Sequence, residues 1–154
     1  MENIQKRELL DLLKREHENL FTVANTIQEK GLENEIVDKK WVLKDVISHI
    51  MLYEREAVKV LKKGSIENNN FYSRTDDDRN EENFQKTHSK SLEEILADAH
   101  EIYKGLLLET EKLGPIELDS IWPGMKRPVK LFIIGESIGH YDDHIPKIQK
   151  RFNI

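Results

Sequence analysis

Leu131-Phe132-Ile133-Ile134-Gly135-Glu136-Ser137-Ile138-Gly139-His140-Tyr141-Asp142-Asp143-His144-Ile145-Pro146 decides how this chain folds and where its chemistry sits. Leu131, Ile134, Ile138, Tyr141, Ile145 and then Ile148 recur at steps of three and four, the period of one apolar face of an α-helix. The spacing predicts a helix over 128–151, with Pro128 in its first turn. His140 and His144 are four apart within it. Residues so spaced are turned by about 40° and offset by about 6 Å along the axis, so both imidazoles reach one point. That is a half-site for a divalent metal, and two ligands alone rarely hold one. Gly135 and Gly139, also four apart, leave room for another helix or loop to approach closely. Pro146 deletes one backbone hydrogen bond, at a typical cost of ~3 kcal/mol, and predicts a kink just past the histidines that helps to aim them.

Three more amphipathic helices precede this one. Residues 3–30 carry Leu9, Leu13, Leu20, Ala24 and Ile27 on one face, with Leu10, His17 and Phe21 on the next row and Gly31 as cap; His17 reads as a histidine at the edge of the core. After a polar connection, Glu33 to Lys40, Trp41 opens a helix over 41–62 with Leu43, Val46, Ile47, Ile50, Ala57 and Leu61 inward. His49 falls at the edge of that stripe beside Val42, Tyr53 and Val60, where a side chain can face a cleft between helices. Ser91 and Glu94 form a capping box that starts a helix over 91–113, closed by Gly114-Pro115. Its apolar face is Leu92, Ile95, Leu96, Ala99, Ile102, Tyr103 and Leu106, with Leu113 near the end. His100, off that stripe, and His88, in a loop, have no assigned role.

Residues 63–90 are polar and aperiodic apart from a short helix expected around Asn80 to Lys86, anchored by Phe84. Such a length permits a crossover that lets the second and third long helices run parallel. The acidic triplet Asp76-Asp77-Asp78 lacks the alternating ligands and glycine of a calcium loop and reads as a solvated loop. In the Ile116 to Arg127 connection, Trp122-Pro123-Gly124 signals a turn whose aromatic is expected to plug one end of the bundle in preference to lidding a cleft. Four amphipathic helices, without strand candidates or repeats, predict an all-α four-helix bundle over a single domain, residues 1–154.

Composition bounds the function. With no cysteine, thiolate sites, disulfides and a cysteine nucleophile are excluded, and a reducing cytoplasm is the expected location. No secretory leader and no run of 18 apolar residues is present, so neither secretion nor membrane spanning is expected. A net charge of −5 with interspersed lysines and arginines argues against nucleic acid as a partner.

His49 with His140 and His144 makes three neutral nitrogen ligands from two helices. Three protein ligands with open positions is the pattern of a reactive metal site, able to acidify a bound water or thiol or to polarise a carbonyl. All-imidazole ligation suits zinc, nickel, iron or copper alike. Asp45, Glu56 and Glu136 lie a turn or two from these histidines and are candidates to fix an imidazole tautomer, or else ordinary surface acids.

Two motifs carry a family resemblance. Trp41-Val42-Leu43-Lys44-Asp45-Val46-Ile47-Ser48-His49-Ile50, followed by Tyr53-Glu54, resembles the second-helix motif of the DinB-like superfamily. Gly139-His140-Tyr141-Asp142-Asp143-His144-Ile145-Pro146 is similar to its last-helix pattern, and Asp78-Arg79-Asn80 and the Ser91-Leu92-Glu93-Glu94 helix start also match. Val42 departs from the Ser or Thr common there, which bears on where the second helix starts. The resemblance implies an up-down-down-up bundle with a metal on His49, His140 and His144. It also implies activity of the thiol S-transferase or hydrolase kind on a small molecule, with a low-molecular-weight thiol as co-substrate, in a homodimer. Tyr53, Glu54 and Asn80 are the pocket candidates. The alternatives are a resistance-type protein that sequesters a small molecule without turnover, and a non-catalytic dimeric bundle.

Overall fold

The structure, a computed structural model, describes residues 1–154. It is all-helical: α1 (Lys6–Glu29), α2 (Leu43–Lys63), α3 (Asp76–Thr87), α4 (Leu92–Lys112), α5 (Pro115–Asp119), α6 (Val129–Glu136) and α7 (Ile138–Phe152). No strand forms, and Asp38 and Trp41 make one isolated bridge ahead of α2. No helix is long and apolar enough to cross a membrane.

Helix ends follow local chemistry. Ser91 Oγ accepts from the Glu94 backbone N–H at 3.1 Å and starts α4 where the capping box predicts. α2 begins at Leu43, after Trp41, with Val42 as N-cap; valine has no oxygen to offer, and only the reciprocal half of a box forms, Asp45 Oδ2 accepting from Val42 N at 3.0 Å. α3 is longer than the sequence suggests. Thr75 caps it by accepting from Asp78 N, and the acidic triplet occupies its first turn, where carboxylates complement the exposed N–H groups of the helix start.

α2 packs most extensively on α4, α1 lies against α7 and α4, and α3, α6 and α7 also contact α2. The apolar interior has two clusters. One joins Leu20 to Ile27 of α1 with the first half of α2, Ile95 and Ala99 of α4, and Tyr141 to Phe152 of α7. The other joins Leu9 and Leu13 with Ala57 and Leu61, Leu106 and Leu113, and Val129, Ile133 and Ile138. Trp122 and Met125 pack on this second cluster, so the tryptophan is a plug. Between the clusters lie buried polar side chains. His17 stacks on Tyr103, with ring centroids 3.8 Å apart, and its Nε2 is 3.2 Å from His100 Nδ1. Glu54, 2% exposed, accepts from the hydroxyls of Ser137 and Tyr141, both at 2.9 Å.

The single last helix expected over 128–151 is two. It breaks at Ser137 (φ −115°, ψ −79°). The core positions before the break are Val129 and Ile133, and those after it are Ile138, Tyr141 and Ile145. Ser137 is itself buried, so positions 129, 133, 137, 141 and 145 keep steps of four through the break, while Leu131 and Ile134 are only half-buried. A Cβ at Gly139 would lie 3.5 Å from the Ile134 carbonyl oxygen of α6, an ordinary contact, so the break does not require a glycine there. Past the break, α7 runs on through Pro146 to Phe152.

Candidate metal centre

His49 lies in the second turn of α2 and is 7% exposed; His140 and His144 lie in α7 and are half-buried. The break at Ser137 sets the start of α7, and the four-residue spacing then brings both its histidines to one place. Their rings are nearly parallel, 7° apart in plane with centroids separated by 6.2 Å. The His49 ring stands edge-on to both, at 5.2 Å from His140 and 4.7 Å from His144. One donor atom from each ring lies within 4.8 Å of the others. With metal–nitrogen bonds of about 2.0–2.1 Å, side-chain rotations bring such a set onto one ion. The cluster can hold a metal ion.

Behind His49 lies Asn80, on α3. His49 Nδ1 is 3.0 Å from Asn80 Oδ1. An amide oxygen only accepts, so Nδ1 carries the proton and Nε2 keeps its lone pair for a ligand bond. Burial holds His49 down to about 3 and His140 to about 4, in each case helped by the neighbouring imidazole charge, and burial also lowers His144. All three rings are therefore neutral near pH 7, the form that ligates.

Of the pocket candidates, Tyr53 and Asn80 are at the triad and Glu54 is not. Tyr53 stacks on His140 with centroids 4.2 Å apart, and its hydroxyl donates to Asp76 Oδ1 at 3.2 Å. Glu54 turns instead to Ser137 and Tyr141 in the interior, where burial raises its carboxyl to about 7. The three acids considered as imidazole partners are engaged elsewhere. Asp45 caps α2 and meets His88 Nδ1 at 2.9 Å, Glu56 accepts from Asn69, and Glu136 accepts from the Tyr72 hydroxyl at 2.9 Å. Glu136 is raised to about 7, mainly by burial.

Residues 69–80 wall the triad. Trp41 lies against His49 at 5.2 Å, Phe71 meets Tyr53 edge-on at 5.5 Å, and Arg79 covers both Phe71 and Tyr53. Arg79 also donates to the Phe71 and Arg74 carbonyls and pairs with Asp76, so it fastens this segment to the start of α3. Asn80, Asn83 and Thr87 are a polar stripe at helical spacing. Asn83 donates to the Ser48 carbonyl and Ser48 Oγ donates to Thr87 Oγ1 at 2.7 Å, which docks α3 on α2 beside His49. That stripe was readable in sequence only to a search for polar periodicity. A surface depression of about 600 Å³, beside Ile4 and the α1 residues Asp11 and Leu12, contains none of the three histidines.

No family model, curated protein or solved structure matches this chain.

Proposed function

We propose that this chain is a four-helix-bundle protein of the DinB-like kind that holds a divalent metal on His49, His140 and His144. In this reading it acts on a small molecule by thiol S-transfer or hydrolysis. The observation that carries the proposal is the convergence of three neutral imidazoles from helices distant in sequence, one with its tautomer fixed by Asn80. One further observation supports it. The start of α1, the end of α2, the end of α4 and the start of α6 share one apolar cluster, as an up-down-down-up course requires.

A divalent metal bound there would lower the pKa of a thiol or water and polarise a carbonyl. Around it, Asn80 orients His49, Tyr53 packs His140 in place, and Trp41 and Phe71 exclude water from the inner side. A homodimer in the cytoplasm, acting with a low-molecular-weight thiol, completes the proposal on the motif resemblance.

The test is turnover. The purified protein, loaded in turn with zinc, nickel and iron, is assayed with a low-molecular-weight thiol plus an electrophile panel, and with an ester panel. Turnover that vanishes in His144→Ala and on chelation is the expected result. A fully loaded protein inert on both panels would contradict the enzyme reading and leave capture of a small molecule.

A further inference from the structure

The flank of α2 that faces α3 carries a charge opposite to that of the whole chain. The net charge is −5, yet a groove of about 240 Å³ here is lined by Arg55, Lys59, Arg74, Arg79 and Lys86 against only Glu56 and Glu82. Those two acids are already engaged. Glu82 is shared by Arg74 at 2.5 Å and Lys86 at 2.7 Å. Glu56 accepts from Asn69 Nδ2 at 2.9 Å and reaches Lys59 only at 3.6 Å. Arg55, half-buried, takes part in none of the chain's ion pairs.

Arg79 forms part of the lining. Its side chain is nine-tenths buried, its Nη1 is held by the Phe71 and Arg74 carbonyls, and its Nε has no hydrogen-bond partner. Phe71, 4.7 Å beneath the guanidinium, and Leu52 add a strip of apolar surface. Cations crowded into one concavity repel one another and focus a positive potential on it, and an anion relieves both. The groove is smaller than the roughly 300–1,000 Å³ of pockets for drug-sized ligands, so the group it suits is small.

We propose that this groove binds a small oxyanion, a phosphate or carboxylate group, gripped by Arg55, Lys59, Arg74 and Lys86. Guanidinium groups match either oxyanion by paired N–H donors, with the ammonium groups adding point charge. The groove contains none of the three histidines and needs no metal, so the proposal stands apart from the function proposed above. Arg79 links the two places, because it lies 5.5 Å over the Tyr53 ring that stacks on His140.

The experiment titrates inorganic phosphate and, separately, succinate into the full chain by calorimetry, with amide chemical shifts followed in parallel. Saturable binding is expected, with shift changes concentrated in residues 52–59 and 71–86. The tighter of the two probes identifies the oxyanion. Arg55→Gln with Lys86→Gln should weaken it at least about tenfold, the loss expected for a charge-assisted hydrogen bond. Lys14→Gln with Lys126→Gln, the same charge change elsewhere, should leave it unchanged. No saturable binding of either anion, equal weakening in both double variants, or shifts spread over the whole surface would overturn the proposal.

Discussion

Asn80 decides which nitrogen of His49 is free to ligate, through one hydrogen bond of 3.0 Å. Removing it in Asn80→Ala leaves all three histidines in place but frees the tautomer, so metal affinity should fall by about 10–100-fold; a chelator competition titration checks this, and unchanged affinity would show that Asn80 orients nothing. Glu54 makes a second prediction at the same scale. Its folded pKa is raised from 4.5 to about 7, so its contribution to stability is fully present below 4.5 and is lost as pH rises through 7. Glu54→Gln, neutral throughout, should gain on the metal-free wild type across that window, by up to about 3 kcal/mol at 1.36 kcal/mol per pKa unit. Thermal melts from pH 4.5 to 8.5 measure the difference, and a difference independent of pH would refute the assignment. The His140 and His144 pair was legible because ligand spacing on a helix is a pattern of sequence, whereas His49 rested on its place at the edge of an apolar stripe and on the motif resemblance. Asn80 was named only as a pocket candidate, since a partner brought from 31 residues away leaves no local trace.

At the scale of elements, the long amphipathic helices were legible and the departures share one cause: apolar periodicity sees only apolar contacts. α3 docks on α2 through Asn80, Asn83 and Thr87, so hydrophobic spacing showed only a short helix around Phe84. The break at Ser137 hid because the buried positions 129, 133, 137, 141 and 145 keep steps of four through it, so periodicity does not mark it. The break at Ser137 precedes both histidines of α7, and Pro146 follows them. Pro146→Ala restores a backbone hydrogen-bond donor at an exposed position and should raise stability by up to about 3 kcal/mol, with metal content unchanged. Chemical denaturation and metal analysis of the variant check both halves. Loss of metal in a more stable protein would show that the proline aims the histidines.

Across the whole molecule, two apolar clusters hold the helices, and a buried polar layer between them joins α1, α2, α4 and α7. That layer, with His17 lowered to about 4 and Glu54 raised to about 7, was invisible to a reading that placed His17 at the core edge and Glu54 in the pocket. Side-chain direction within a bundle depends on how the helices are rotated, and spacing alone leaves that open. The triad escapes this limit because its three members converge at a helix junction that the motifs already mark. The central claim, that His49, His140 and His144 hold a divalent metal, is tested most directly by elemental analysis of the purified wild type and of His144→Ala after equal exposure to zinc and dialysis. The account predicts one metal per chain in the wild type and none retained in the variant, with the fold intact by circular dichroism. Equal metal content in the two proteins, or none in the wild type, would contradict it.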